Sequence, residues 1–183
     1  MYNYPYSNME NEINAIRQPQ SQIRIFNASP DAPAIDVYAN GNIIAQNLPF
    51  TRFSNYVSLP AGTYNIRVYR TGETTNPIIS NNFFIPSNSA FNIAVTGVLN
   101  NIALYPIPEP TTAQNMGASC IRFVHLAPTG PTVDVSLSDG RKVFEDVVFK
   151  QATTYACLPA GTYTFTITPS SGIGQPLTIP NTT

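Results

Sequence analysis

Apolar and polar residues alternate with a period of two along much of the chain. After a Pro-Ala-Gly turn at residues 60–62, every second residue of the next segment is apolar. The two faces of that segment are Tyr64, Ile66 and Val68 on one side and Asn65, Arg67 and Tyr69 on the other. Residues 163–168 repeat the alternation. A period of two over this length is typical of a half-buried β-strand, so we predict a strand at both places.

Short apolar runs between Pro and Gly residues fill the rest of the chain. Asn40-Gly41 lies between two such runs and predicts a two-residue hairpin, and Asp139-Gly140 occupies the same place further on. Many short strands with this punctuation, and no helical stretch, indicate an all-β sandwich or small barrel.

The chain repeats itself at a long period. Three segments recur, namely Ile23-Arg24-Ile25-Phe26 as Ile121-Arg122-Phe123-Val124, Ile35-Asp36-Val37 as Val133-Asp134-Val135, and Leu59-Pro60-Ala61-Gly62-Thr63-Tyr64 as Leu158-Pro159-Ala160-Gly161-Thr162-Tyr163. The offset is 98 residues before the hairpin turn and 99 after it. Self-similarity of this kind predicts two copies of one structural unit, with a one-residue insertion in a loop.

The repeat predicts four parts. They are an N-terminal arm (1–20), a first repeat (21–106), a linker (107–119) and a second repeat (120–183). The second repeat has no counterpart of residues 91–98 or 102–105, so we expect it to lack about two C-terminal strands. An incomplete sandwich exposes sheet edges and core, which invites pairing with another chain.

The arm has a pattern of its own. Tyr2, Tyr4 and Tyr6 alternate with polar or small residues, and Pro5 interrupts the pattern. One interpretation is a strand that completes an open edge, in this chain or in a neighbour. The other is a disordered tail, as chain termini usually are.

Composition narrows the classes of partner. Only 10% of the 183 residues are charged, against roughly 25% in an average soluble domain, so Asn, Gln, Ser and Thr must supply the polar surface. Such a surface repels its copies weakly and suits an assembly. The net charge of −1, without a Lys/Arg cluster, argues against nucleic acid. No apolar run approaches the roughly 20 residues that span a bilayer, and the first residues do not read as a signal peptide, so we expect cytoplasmic synthesis without membrane insertion.

Two cysteines, Cys120 and Cys157, leave two alternatives open. They form a disulfide, within the second repeat or between molecules, or they are two buried thiols. The redox compartment decides between these alternatives, and the sequence leaves the compartment open. With His125 as the only histidine, the chain offers too few ligands for a zinc site.

Catalytic chemistry has little support. The counterpart of His125 in the first repeat is Asn27, so the repeats share no imidazole. We predict no enzyme, no catalytic residue, no metal and no cofactor. For the charged residues that recur, we predict structural pairs across neighbouring strands, Arg24 with Asp36 and Arg122 with Asp134.

Three motifs carry a family resemblance. Ala28-Ser29-Pro30-Asp31-Ala32-Pro33, Ile35-Asp36-Val37-Tyr38 and Leu59-Pro60-Ala61-Gly62-Thr63-Tyr64 together resemble domain-of-unknown-function family 4397, found in many bacterial envelope and extracellular proteins. The resemblance implies β-sandwiches of immunoglobulin or transthyretin type, here in tandem with the second one lacking its C-terminal strands. Tandem copies behind a Tyr/Asn-rich start are similar to proteins of spore-forming Firmicutes. That similarity suggests a spore coat, exosporium or spore-appendage component, made in the mother cell and released by its lysis.

We therefore expect a non-enzymatic surface protein that assembles through β-strand edges, with itself or with other surface proteins as partner. The alternative is a monomeric adhesion module that binds carbohydrate or cell wall. Exposed tyrosines, Tyr2, Tyr4, Tyr6 and Tyr69, would then stack on sugars.

Overall fold

A computed structural model describes residues 19–112 and 118–182. This part of the chain is nearly all β, with one turn of 3-10 helix (Leu99–Asn101) and no α-helix. The N-terminal half contains eight strands, β1 (Gln20–Asn27), β2 (Ile35–Ala39), β3 (Asn42–Leu48), β4 (Val57–Pro60), β5 (Gly62–Arg70), β6 (Ile79–Ile85), β7 (Ala90–Thr96) and β8 (Ala103–Glu109). None of the described helical residues forms a segment that could cross a bilayer.

The strands of the N-terminal half form two sheets that share one hydrophobic core. Their orders are β4-β1-β7-β8 and β3-β2-β5-β6. The core cluster combines Ile25 and Ile93 of the first sheet with Val37 and Val68 of the second, and each of these side chains is at most 1% exposed. In the first sheet, β1 pairs with β4 in antiparallel fashion on one edge and with β7 in parallel fashion on the other.

The C-terminal half repeats part of this arrangement with eight strands, most of which are shorter. They are β9 (Ser119–Ile121), β10 (Val124–His125), β11 (Val133–Leu137), β12 (Lys142–Val147), β13 (Gln151–Ala152), β14 (Ala156–Leu158), β15 (Tyr163–Pro169) and β16 (Leu177–Thr182). One sheet, β12-β11-β15-β16, corresponds to β3-β2-β5-β6. The other is reduced to two small pairs, β14-β9 and β10-β13.

The hairpins explain the change of offset between the halves. Asn40 and Gly41 form a two-residue turn with φ angles of 48° and 84°, as the Asn-Gly sequence predicts. In the C-terminal half the turn is longer, because Leu137 N–H bonds Arg141 O and three residues lie between them. The predicted insertion therefore lies in the loop.

Within the described residues, β7 and β8 have no counterpart in the C-terminal half. The β9–β10 segment pairs with β13 and β14 on one side, and no strand from residues 19–112 or 118–182 pairs with its other edge, where β7 would pair. The core beneath it is less well covered. Val68 is fully buried, whereas its counterpart Ile167 is only half-buried. On β16, which no sheet within the described part of the chain covers, Leu177 is 61% and Ile179 42% exposed.

For residues 19–112 and 118–182, the prediction of an all-β fold is confirmed. The arm with Tyr2, Tyr4 and Tyr6 lies outside the described residues.

A disulfide joins the two cysteines within the C-terminal half. Cys120 and Cys157 are directly opposite in the antiparallel pair β9–β14. At the matching positions of β1 and β4, Gln22 Nε2 donates a hydrogen bond of 2.7 Å to Ser58 Oγ. The same two strand positions are therefore linked in both halves, covalently where the sheet is smallest.

We expect the double change Cys120→Ser with Cys157→Ser to lower the free energy of unfolding of the C-terminal half by about 4 kcal/mol. The bond closes a loop with a sequence separation of 37, and the estimate is the chain entropy that such a loop removes from the unfolded state. Urea unfolding with and without reductant measures the loss. The matched control, Gln22→Ala with Ser58→Ala, removes an exposed hydrogen bond and should cost about 1 kcal/mol or less. Equal midpoints for the oxidised protein and the cysteine variant would contradict the estimate.

Candidate functional site

His125 has a structural environment that matches that of Asn27. The His125 Nδ1 atom accepts the Ala127 N–H, and Nε2 donates to the Pro131 carbonyl at 2.8 Å. The Asn27 side chain bonds the two equivalent backbone groups, Ser29 N–H and Pro33 O. Both side chains are buried. The His125 imidazole therefore has the same role as the Asn27 amide. Each side chain holds the loop that follows the first strand of its half.

The two recurring aspartates also hold backbone. Asp36 Oδ1 accepts the Asn47 N–H at 2.7 Å, and Asp134 Oδ1 accepts the Asp146 N–H at 2.9 Å. Asn47 and Asp146 have φ angles of 48° and 50°, at irregular positions of β3 and β12. A buried carboxylate thus fixes a β-bulge in each half. A second anchor comes from Thr71 in one half and Ser170 in the other, whose hydroxyls donate to the same oxygens.

The predicted pairs of Arg24 with Asp36 and of Arg122 with Asp134 are wrong. Each arginine lies on β1 or the β9–β10 segment, and each aspartate lies on a strand of the other sheet. The carboxylates of Asp36 and Asp134 instead accept hydrogen bonds from backbone N–H groups in the bulges. The cation that Asp134 does contact is Lys142, with Nζ 2.9 Å from Oδ2.

These contacts change the acidity of Asp134. The hydrogen bond from Asp146 N–H, then those from Lys142 and Ser170, lower the pKa of Asp134 to about 2 from an ordinary value of 3.8. Asp134 in turn raises the pKa of Lys142. The carboxylate is therefore held ionised by the fold, as a structural acceptor.

The arginines instead lie at the junction of the two halves. Arg24 is stacked on Phe53 and Tyr56 and donates from Nε to Asn92 Oδ1. The Asn92 amide donates in turn to Glu109.

Glu109 also binds the C-terminal half. It accepts from Arg122 Nη2 at 2.7 Å and from the Tyr155 hydroxyl at 3.1 Å. Burial, followed by the hydrogen bond to Glu109, raises the pKa of Tyr155. One polar network thus runs from the N-terminal to the C-terminal half.

The open edge of β9–β10 borders an apolar groove, which we call the open groove. It consists of two cavities of about 180 and 310 Å³ that share Phe123 and Ile167. Its walls are the side chains Ile121, Phe123, Val133, Val135, Phe144, Phe165, Ile167, Leu177 and Ile179. Most of them belong to the core cluster of the C-terminal half or pack against it, so the groove is the uncovered part of that core.

In the N-terminal half the same place is filled by β7. Phe91, Ile93 and Val95 of β7 pack into the core cluster, and the β7 backbone pairs with β1 from Gln22 to Asn27. An unpaired strand edge beside an apolar face can accept an extended segment by hydrogen bonding and side-chain insertion.

A domain of unknown function, DUF4397, matches residues 21–136, which is more than half of the chain. The chain belongs to the DUF4397 family. No curated protein matches it. The matched range covers the strands of the N-terminal half except the first residue of β1, and it ends within β11 of the C-terminal half. β15 and β16, which form one wall of the open groove, lie beyond it.

Two further observations concern this DUF4397 chain. Tyr69 is only 6% exposed and packs edge-on against Tyr38, so it is not a platform for sugars. Across residues 19–112 and 118–182, no three His, Cys, Asp or Glu side chains come close enough together to hold a metal ion.

The structural role of His125 predicts which substitutions it tolerates. His125→Ala leaves the Pro131 carbonyl and Ala127 N–H without their partner and should cost about 1–3 kcal/mol of unfolding free energy. His125→Asn restores the arrangement of the N-terminal half and should cost clearly less. Urea unfolding distinguishes the two, and equal losses for both variants would contradict this role.

The lowered pKa of Asp134 predicts a loss of stability in acid. A group whose pKa is depressed by folding stabilises the protein above its ordinary pKa, and that contribution disappears as the pH falls from about 4 towards 2. Asp134→Asn should therefore unfold at a lower temperature than the unchanged chain near pH 6, and the difference should shrink on acidification. Glu145→Gln, which removes the more distant carboxylate near Lys142, is the control. A difference that stays constant down to pH 2 would contradict the assignment.

Proposed function

We propose that this protein is a non-enzymatic structural component that assembles by β-strand addition at the open groove. The observation that carries the proposal is an unpaired strand edge, β9–β10, next to an uncovered apolar core. As part of the proposal, the two halves are tandem sandwiches of immunoglobulin or transthyretin type, and the second is completed by a strand from outside residues 118–182.

The N-terminal half supports the proposal by showing what completion achieves. With β7 in place, Ile23 and Ile25 are 1% exposed, while their counterparts Ile121 and Phe123 remain half-buried. Full burial of one large apolar side chain contributes about 1.5–3 kcal/mol, so an incoming strand gains several kcal/mol before its backbone hydrogen bonds are counted.

Surface composition supports assembly as well. The chain carries 19 charged side chains in 183 residues and a net charge of −1, so copies repel one another little. The disulfide supports a location outside the reducing cytoplasm, since such bonds persist in oxidising compartments. We propose a bacterial surface, and the resemblance to proteins of spore-forming Firmicutes favours the spore surface.

The proposal predicts that charges on the rim of the open groove block association. Leu177→Lys with Ile179→Lys should weaken association at least about tenfold, because these exposed side chains would otherwise be buried by the added strand. Sedimentation velocity over a wide concentration range, with electron micrographs of the same samples, measures association.

The matched control is Ile173→Lys. Ile173 is 84% exposed and does not line the groove, so this variant should associate as the unchanged chain does. An unchanged chain that stays monomeric at every concentration, or groove variants that associate normally, would overturn the proposal.

A further inference from the structure

We propose that residues 2–6 of a second copy of this chain fill the open groove, parallel to β9–β10 and in the register that β7 has with β1. This inference rests on the proposed function and names the partner of its site. Residues 1–18 lie outside the described part of the chain, so a segment long enough to supply a strand is at hand.

Sequence similarity between the arm and β7 sets the register. The central part of β7 is Phe91-Asn92-Ile93-Ala94-Val95, and the arm begins Tyr2-Asn3-Tyr4-Pro5-Tyr6. Both have large apolar or aromatic side chains at the first, third and fifth positions, an asparagine at the second and a small or cyclic residue at the fourth. In β7 the first, third and fifth side chains enter the core. The tyrosines would enter the open groove at the same places.

Asn3 would have a hydrogen-bond donor, Arg122, at the matching position. Arg24 lies beside Asn92 in the parallel pair β1–β7 and donates from Nε to its side-chain oxygen. Arg122 is the counterpart of Arg24, and its Nη1 and Nη2 atoms donate to Pro108 O and Glu109. In the proposed register Asn3 lies beside Arg122 and would accept from Nε.

In the proposed register Pro5 lies at a position where its missing N–H removes no hydrogen bond to β9–β10. Gln22 N–H donates to Ser89 O, and Ala28 N–H donates to Val95 O. Backbone groups of alternate residues in a parallel strand point to the same neighbour, so the odd-numbered residues of β7 face β1 and Ala94 faces away. Pro5 takes the place of Ala94. Its missing N–H would therefore face away from β9–β10, as prolines in edge strands do.

The groove also has room for tyrosines in place of the smaller side chains of β7. Tyr4 would lie opposite Phe123, between the two cavities of about 180 and 310 Å³. Tyr6 would lie opposite His125, which lines the larger cavity together with Leu177. Aromatic rings pack well against this wall, because Phe123 and His125 are already in edge contact.

Peptide binding tests the donor separately from the acceptor. The acceptor is the full chain with Tyr2→Ser, Tyr4→Ser and Tyr6→Ser, which keeps the open groove and disables its own arm. The probes are a labelled peptide of residues 1–9 and a peptide of residues 89–97, which contains β7. Fluorescence anisotropy should show that both bind, and that Leu177→Lys with Ile179→Lys in the acceptor weakens both at least about tenfold.

Asn3→Ala in the arm peptide should weaken binding about tenfold, because a hydrogen bond to a charged donor is lost. Asn8→Ala, outside the register, is the matched control and should bind as the original peptide does. Binding of the β7 peptide without the arm peptide would overturn the donor and leave the proposed function standing. Binding of neither peptide, by a chain that does not associate, would overturn both.

Cross-linking tests whether the donor belongs to another copy. Tyr4 is replaced by the photoreactive amino acid benzoylphenylalanine, and isotopically heavy and light chains are mixed before irradiation. Adducts between heavy and light chains at residues 121–125 support the proposal. Adducts confined to single chains, or located elsewhere, would overturn it.

Discussion

The parallel pairing of β1 with β7 is the interaction on which the architecture of this protein depends. It supplies β1 with a second neighbour, and it brings Phe91, Ile93 and Val95 over the core. Without a counterpart of β7 among residues 118–182, the C-terminal half keeps the equivalent backbone contacts of His125 and Asp134 but leaves a strand edge and an apolar face uncovered. The main difference between the halves is therefore that β7 and β8 have no counterpart among residues 118–182, and this is the place where we propose that a partner binds.

The halves keep the same backbone contacts with different side chains. The amide of Asn27 in the N-terminal half is replaced by the imidazole of His125 in the C-terminal half. Likewise, the hydrogen bond between Gln22 and Ser58 is replaced by the disulfide between Cys120 and Cys157. Asn27 and His125 bond equivalent backbone groups, and the other two pairs join equivalent strands. The histidine and the cysteine pair, which stand out in the sequence, therefore each have a structural role.

The sequence was most informative where a pattern is local. Alternation around Ile66 and the Asn40-Gly41 turn depend on neighbouring residues, and both appear in the structure as predicted. The pairing of Arg24 with Asp36 was wrong because it required knowing which strands share a sheet. Two strands adjacent in the chain, β1 and β2, belong to opposite sheets, and alternation alone does not reveal this. The equivalence of His125 and Asn27 was visible in the repeat, but their shared backbone partners were not.

The two strands that have no counterpart among residues 118–182 have a second role in the N-terminal half. Besides covering the core, β7 and β8 present the outer face on which the C-terminal half packs, through Thr96 to the Leu126 carbonyl and through Glu109 to Arg122. A strand added to the open groove would inherit both roles. Its inward side chains would close the core, and its outward side chains would lie where Asn92 and Ala94 lie in β7. The first of these accepts a hydrogen bond from the arginine beside it, so the outward face of an added strand is constrained at this position as well. A donor must therefore match both faces, and this requirement is stricter than the need for an apolar strand.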